Sequence, residues 1–356
     1  MKVLTVIGAR PQFIKAAVVS RAMNERPGGI SETIVHTGQH YDANMSDIFF
    51  DQLDIPHPQY NLGVGGGGHG QNTGRMLEKL EGLLVEERPD LMLVYGDTDS
   101  TLAGALAATK LHIPVAHIEA GLRSFNRRMP EEINRVLTDH IAEQLFAPTL
   151  TARDNLIGEG IGESAIHMVG DVMYDAALYY RERSRCPEEF ESLNIETGGF
   201  VLCTIHRAEN TDSPARMQGI LNGLADAALP VILPLHPRTR AKLNTMGLIM
   251  PENVYVMDPV GYLEMVWLEK NSSLIATDSG GVQKEAYFHG KRCVTLRDET
   301  EWVELVDSGC NALVGSDSTR IADAINAPSK VQLKEGLYGD GDTANRILRV
   351  LTSKRS

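Results

Sequence analysis

The sequence predicts an α/β protein of two domains, each a parallel sheet flanked by helices. Three observations carry that expectation. Short β-rich runs alternate with helical patterns along the whole chain, which implies parallel strands joined by right-handed crossovers. The second half repeats the plan of the first. At 356 residues the chain is long enough for two domains that each bury a core.

In the first half, strands are expected near 3–7, 33–36, 91–95, 115–118, 145–147 and 167–169, with helices over 98–111 and from Pro130 onward. In the second half they are expected near 200–205, 231–234, 254–257, 274–277 and 293–296, each followed by a helical stretch. Both halves read as Rossmann-like units. The boundary is placed around 170–187, where a helix over 174–183 leads into Cys186-Pro187, giving domains 1–170 and 171–341. In open α/β sheets ligands bind beyond the carboxyl ends of the strands, so two such domains facing across a cleft would enclose the site there.

The bulk numbers exclude several function classes. A formal charge of -13 and a pI near 5.3 leave no basic stripe for a nucleic-acid partner or an anionic membrane. The amino-terminal apolar run is cut off by Arg10 and Pro11, too early for a signal peptide, and reads as a first strand. No stretch approaches the roughly 20 apolar residues of a membrane span, so a soluble, cytoplasmic protein is expected. Cys186, Cys203, Cys293 and Cys310 fit no paired ligand spacing and read as reduced packing residues, with no metal. The run Gly-Val-Gly-Gly-Gly-Gly-His-Gly at 63–70 is too glycine-rich to pack and is expected to be a mobile loop. It is no P-loop, and no GxGxxG opens a helix after the first strand, so no nicotinamide cofactor is expected.

Three carboxylates, Asp97, Glu119 and Glu131, sit just past apolar runs, in Gly96-Asp97-Thr98-Asp99-Ser100, His117-Ile118-Glu119-Ala120-Gly121-Leu122-Arg123 and Pro130-Glu131-Glu132-Ile133-Asn134-Arg135. Singly, each reads as a cap or an ion-pair partner, and Asp97 is the obvious cap for the helix that follows it. Crowded together, like charges and partial burial push their proton affinities apart and make an acid and a base from one residue type.

Cations lie on other segments. Arg10 follows the first strand at a helix start suited to an anion, with Pro11 in the first turn. Lys15 is one turn on, where a lone lysine is ordinarily solvated. Ser279, Gly280 and Gly281 repeat that logic in the second domain as a diphosphate cradle, and Glu285, a turn further, is placed to accept hydrogen bonds from ribose hydroxyls. His206 and Arg207 come directly after a strand, where the histidine can assist a departing phosphate. Leu235-His236-Pro237-Arg238 ends the next strand in the same way.

Together with Gly8-Ala9-Arg10-Pro11, His36-Thr37-Gly38-Gln39-His40, His206-Arg207 and Asp278-Ser279-Gly280-Gly281-Val282-Gln283, the three acid segments resemble the non-hydrolysing bacterial UDP-N-acetylglucosamine 2-epimerases from end to end. The resemblance implies a glycosyltransferase-B-like fold, a homodimer, no cofactor, and conversion of UDP-N-acetylglucosamine to UDP-N-acetylmannosamine, with UDP-2,3-diacetamido-2,3-dideoxyglucuronate as the alternative substrate. It also implies a carboxy-terminal helix, within 342–356, that packs back on the first domain. The family's reaction inverts C2 of the sugar. C2 has no adjacent carbonyl, so its proton is too weakly acidic for direct removal. Loss of UDP from C1 acidifies it, a 2-acetamidoglucal forms, and re-addition of UDP after protonation from the opposite face completes the inversion. By this match Asp97, Glu119 and Glu131 are the proton-transfer and cation-stabilising acids, and His206 assists departure of UDP. Arg10, Ser279, Gly280, Gly281 and Glu285 form the UDP site, with Lys15, Gln39, Arg135, Arg207 and His236 as further ligands.

Two departures from relatives acting on UDP-N-acetylglucosamine stand out. Trp302 replaces an arginine after Leu296-Arg297-Asp298, and Arg127-Arg128-Met129 is similar to the branch acting on UDP-2,3-diacetamido-2,3-dideoxyglucuronate, where extra cations meet a sugar carboxylate. The 63–70 segment also differs where several family members bind a second, activating UDP-sugar. A UDP-sugar glycosyltransferase of the same fold is the rival reading, and a non-catalytic nucleotide-sugar sensor is a third. Neither has a need for three gathered acids.

Overall fold

The computed structural model describes residues 1–26, 29–39, 53, 56–328 and 336–353, without the side chains of Arg10 and Arg238. His40, quoted above, lies outside the described residues. The chain forms two units, Met1–Ala176 with Gly336–Ser356, and Ala177–Glu335.

The first unit runs β1 (Lys2–Ile7), α1 (Arg10–Asn24), β2 (Ser31–His36), β3 (Tyr60–Asn61), α2 (His69–Glu87), β4 (Leu91–Tyr95), α3 (Asp99–Lys110), β5 (Val115–Ile118), α4 (Pro130–Ile141), β6 (Gln144–Ala147), α5 (Leu150–Gly158) and β7 (Ile166–Met168). Its seven strands lie in the order β3-β2-β1-β4-β5-β6-β7, all parallel. Helix α6 (Val172–Arg181) carries the chain into the second unit. There follow α7 (Glu188–Glu191), β8 (Val201–Thr204), α8 (Ala208–Thr211), α9 (Pro214–Ala225), β9 (Val231–Pro234), α10 (Pro237–Thr245), β10 (Val254–Met257), α11 (Tyr262–Asn271), β11 (Leu274–Thr277), α12 (Gly280–Phe288), β12 (Arg292–Thr295), α13 (Val303–Asp307), β13 (Asn311–Leu313) and α14 (Ser318–Asn326). The second sheet has the order β10-β9-β8-β11-β12-β13, again parallel throughout. The α/β class with two Rossmann-like sheets is the one expected from sequence. The edge strands β3 and β13 are two and three residues long and were not anticipated.

Strand residues are apolar on both faces because helices cover both. In β8, Val201 and Cys203 join a cluster with Ile220, Leu221 and Leu224 of α9, while Leu202 points the other way to Leu268 and Ala286. In the first unit, Leu4, Val6, Met92 and Val94 pack under Met76 and Leu80 of α2 and Ala103 and Ala107 of α3. Full burial of each such leucine or valine contributes about 1.5–3 kcal/mol. Cys203 and Cys293 are part of this packing, and burial raises both thiols, Cys293 to about 12. The last helix, α15 (Thr343–Ser353), packs on α1 through a face containing Ile347, Leu348 and Leu351, and Asp175 accepts from the amide of Ala344 at its start, 2.9 Å away. No helix among the described residues is long and apolar enough to cross a membrane.

The glycine-rich stretch differs from expectation. The loop ends at Gly68, and His69 and Gly70 open α2. Val64 is buried and its amide donates to Thr37 O at 2.8 Å, while Gly65 passes so close to Gly38 O that a Cβ would lie 2.6 Å from it. Glycine here permits backbones to approach each other, which is packing by the main chain.

One buried charge cluster sits in the second unit. Glu269 of α11 lies 3.6 Å from His289, both side chains 1% exposed, and beside Glu285 of α12. Burial, and then the neighbouring Glu285 carboxylate, raise the Glu269 carboxyl well above its ordinary value, and burial first of all holds His289 down at about 3. The native Glu269-Glu285 pair therefore keeps a proton that the unfolded chain releases above its own carboxylate range. Stability falls as pH rises from there towards the native value, by up to about 1.4 kcal/mol per pH unit. Glu269→Gln keeps the shape and removes the titration. Its melting temperature should fall less than that of the parent between pH 5 and pH 8, His289 being common to both proteins. Parallel curves by differential scanning calorimetry would show that the pair binds no extra proton.

Candidate active site

In each unit the strand order reverses once, between β1 and β4 and between β8 and β11. The loops leaving those strands diverge there and leave a crevice at the carboxyl edge. In the first unit the loops after β1 and β4 are tied together by Gln12. Its Oε1 accepts from the amides of Gly8 (2.8 Å) and Ala9 (3.0 Å), and its Nε2 donates to Tyr95 O (2.8 Å) and Thr101 Oγ1 (2.9 Å). A Cβ at Gly8 would overlap the hydroxyls of Thr37 and Ser100, which explains the glycine. Sequence reasoning passed over Gln12, whose role needs partners more than 80 residues away.

A cavity of about 170 Å³ opens at this crevice, with Lys15, Gln39, His69, Asp97, Pro130 and Glu131 among its lining residues. Asp97 Oδ2 takes Arg135 Nη2 at 2.6 Å, and Arg135 Nη1 reaches Glu132 at 2.9 Å. Glu119, on the loop after β5, is ion-paired with Lys15, and both head groups lie over Gly96. Glu131 is in the first turn of α4 and exposed on the cavity wall. Asp97 and Glu131 thus line one cavity, and Glu119 reaches it through its ion pair with Lys15 of the wall.

For two of the candidates the bland alternative, a solvated lysine and a helix cap, gives way. Lys15 is not solvated: it is 6% exposed and compensates Glu119. Asp97 does not cap α3, because Thr98 does so through a bond from the amide of Thr101, which leaves the Asp97 carboxylate for Arg135. Burial raises the Asp97 carboxyl from its ordinary value, with Arg135 opposing and Glu119 adding to the rise. Glu132, also buried, is nonetheless held low by the amides of Ser124 and Phe125 and by Arg135. Arg135 thus joins two carboxyls in unequal surroundings, Asp97 raised and Glu132 lowered. Gln39 accepts from Ser100, amide at 3.1 Å and hydroxyl at 2.6 Å, and so also braces the start of α3. Arg10 opens α1, and its side chain lies outside the described residues.

The second unit builds its crevice around Asp278, fully buried at the end of β11. Its carboxylate accepts from the amides of His206 (3.0 Å) and Arg207 (3.0 Å) and from Asn210 Nδ2 (3.1 Å), with His206 Nδ1 at 3.3 Å. The His206 ring is thereby presented to solvent at 56% exposure from a fixed backbone. Ser279 caps α12, accepting from Val282 N at 3.4 Å. Gly280 has a second reason for being glycine, since a Cβ would overlap the Glu301 carboxylate, whereas Gly281 faces open space apart from Ser279 Oγ at 3.9 Å. Burial would raise the Glu301 carboxyl, but Arg297 at 2.9 Å, with Arg207 at 4.0 Å, holds it low. Glu285 is buried within α12, and His236 is exposed after β9. Trp302 is buried, and Lys284 Nζ stands 4.2 Å from its ring. Asp278 was quoted in the sequence motif without a role, because a pinning carboxylate has no signature until the loop it pins is seen.

Comparison with known proteins agrees with this architecture. Residues 21–352 match the family model for UDP-N-acetylglucosamine 2-epimerase. The chain is 56% identical to a UDP-2,3-diacetamido-2,3-dideoxy-D-glucuronate 2-epimerase of Pseudomonas aeruginosa, over 99% of both chains. It is 37% identical to the UDP-N-acetylglucosamine 2-epimerase of Escherichia coli, over 100% of this chain and 99% of that protein. Among solved structures, the Methanocaldococcus jannaschii UDP-GlcNAc 2-epimerase in complex with UDP-GlcNAc and UDP is similar at a TM-score of 0.87 and 44% identity, covering 99% of each chain. The Neisseria meningitidis enzyme bound to UDP-GlcNAc is similar at 0.88 and 32%, with the same coverage. Two parallel sheets, the gathered carboxylates and a family match over nearly the whole length lead to one conclusion: the chain belongs to the UDP-N-acetylglucosamine 2-epimerase family.

Proposed function

We propose that this protein inverts C2 of a UDP-linked 2-acetamido sugar by eliminating UDP and adding it back. The observation that carries the reading is that Asp97 and Glu131 line one cavity while Glu119 pairs with Lys15 of its wall, Asp97 being compensated in turn by Arg135. Departure of UDP from C1 leaves positive character there that a carboxylate stabilises, and the C2 proton becomes acidic enough for a carboxylate to remove. A second acid protonates the glucal from the opposite face. His206, Arg207, His236 and the start of α12, with Ser279, Gly280, Gly281 and Glu285, hold the UDP moiety, and His206 meets the departing phosphate oxygen. Gln39 assists in holding the sugar. The enzyme is a cytoplasmic homodimer. Its four free cysteines and the exposed apolar side chains Phe125, Ile133 and Leu137 on and before α4 support those two readings.

Between the two substrates anticipated from sequence, the uronate is favoured. The 56% identity to the diacetamido-glucuronate epimerase exceeds the 44% to the Methanocaldococcus jannaschii and the 37% to the E. coli UDP-N-acetylglucosamine enzymes. Arg127 and Arg128 are exposed on the segment that leads directly to Pro130 and Glu131 of the cavity wall. UDP-N-acetylglucosamine is the second reading, favoured by the family match itself.

Three outcomes are expected. Incubation of either UDP-sugar with the protein in heavy water, with no acceptor present, should place deuterium at C2, detected by NMR; an inert substrate would return the glycosyltransferase or sensor reading. Replacing Asp97 by Asn, or Glu119 or Glu131 by Gln, should slow that exchange by roughly two to four decades, about 3–5 kcal/mol of barrier. Charge reversal at Arg127 or Arg128 should lower kcat/KM about 10- to 100-fold on the uronate, the scale of a charge-assisted hydrogen bond, and leave UDP-N-acetylglucosamine nearly unaffected. Equal losses on both would remove these arginines from substrate selection.

A further inference from the structure

Glu119 is held in the left-handed backbone region, φ +71, which a glutamate adopts only when its surroundings impose it. The surroundings that do so converge on one side chain. Asp139, fully buried on α4, takes the His117 ring through Oδ1 (Nδ1 at 2.7 Å), and through Oδ2 the Gly121 amide (3.1 Å) and Arg123 Nη1 (2.7 Å). It therefore grips the chain two residues before Glu119 and two residues after it. Between those grips the amides of Glu119 and Ala120 both donate to Phe146 O, at 3.2 and 3.1 Å. A chain pinned at both ends, with both intervening amides aimed at one acceptor, must turn sharply, and the turn directs the Glu119 side chain to Lys15.

The same ring reaches the other catalytic loop. His117 Nε2 donates to Gly96 O at 2.7 Å, and Gly96 N donates to Ile118 O at 3.0 Å, so the residue preceding Asp97 is fixed from the β5 side. Both His117 nitrogens face acceptors, so the ring joins the two loops from either side. Arg123 is anchored in turn by Glu159, 2.7 and 2.8 Å.

We propose that Asp139 is a positioning residue for catalysis: by bridging His117, Gly121 and Arg123 it imposes the strained backbone that aims Glu119 at the reacting carbon. This rests on the reading of Glu119 as an acid of the reaction, and the test separates the two. Deuterium exchange at C2 is followed for the parent, Asp139→Asn, Glu119→Gln and the double variant, with KM measured for each. Asp139→Asn alone should lower kcat about 10- to 100-fold with KM changed less than about twofold, and in the Glu119→Gln background it should cost less than about threefold, since the group it aims is already disabled. Equal loss in both backgrounds, or a loss confined to KM, would overturn the proposal while leaving the site intact. Parental activity in Glu119→Gln would instead overturn the reading of the site. Should Asp139→Asn fail to fold, His117→Gln, which leaves the Arg123 and Gly121 bonds in place, enters the same cycle with the same criteria.

Discussion

Helical periodicity imposes the constraint on which the acid site depends. Residues four apart share a face, and on α4 the series Glu131, Arg135, Asp139 runs down one side of the helix. The first ends on the cavity wall, the second pairs with Asp97 at 2.6 Å, and the third grips the loop that carries Glu119. One helix face therefore touches the structural basis of all three carboxylates, although they leave three different elements. Pro130 and the paired acids in the first turn fix where the helix begins, with the carboxylates at the end of the dipole that favours them. A shift of the helix by one residue would rotate the whole series by about 100° and dismantle the site.

The two units solve the same problem with the same device. A Rossmann-like sheet delivers loops to the crevice at its switch point, but loops are soft, and acid/base chemistry needs atoms held to a fraction of an ångström. In the first unit a buried aspartate, Asp139, takes backbone and side-chain donors from the loop after β5. In the second, Asp278 takes the amides of His206 and Arg207 after β8. Each carboxylate is fully buried and surrounded by donors, which is the condition under which a buried charge stiffens its surroundings instead of destabilising them.

Much of this was legible in the sequence, and what was not has a physical reason. The alternation of strand and helix patterns gave the α/β class and the positions of most strands, since parallel strands buried on both faces leave unmistakable apolar runs. Residues just past strand ends were marked as candidates because the topology of an open sheet sends them to the carboxyl edge, where Asp97 lines the cavity. What local pattern could not convey was pairing at long range. Lys15 looked solvated because its partner is 104 residues away. Asp97 looked like a helix cap because Thr98, which performs that task, was indistinguishable by propensity. The glycine run looked loose because main-chain packing leaves no apolar signature, and β3 and β13 were too short for periodicity to register.

The electrostatic arrangement at the cavity also explains why cations were needed inside an acidic protein. Asp97 and Glu119 repel one another, and that repulsion adds to the burial that raises the Asp97 carboxyl. Lys15 and Arg135 break that symmetry unequally. Glu119 receives a lysine in a nearly closed pocket, whereas Asp97 receives its arginine while Glu119 and its own burial act against ionisation. Glu131 remains at the exposed rim. Two chemically similar side chains, Asp97 and Glu119, are thus set in unequal surroundings by two cations. A reaction that removes a proton from one face of a carbon and returns it to the other requires such inequality, because identical acids would run neither step at a useful rate.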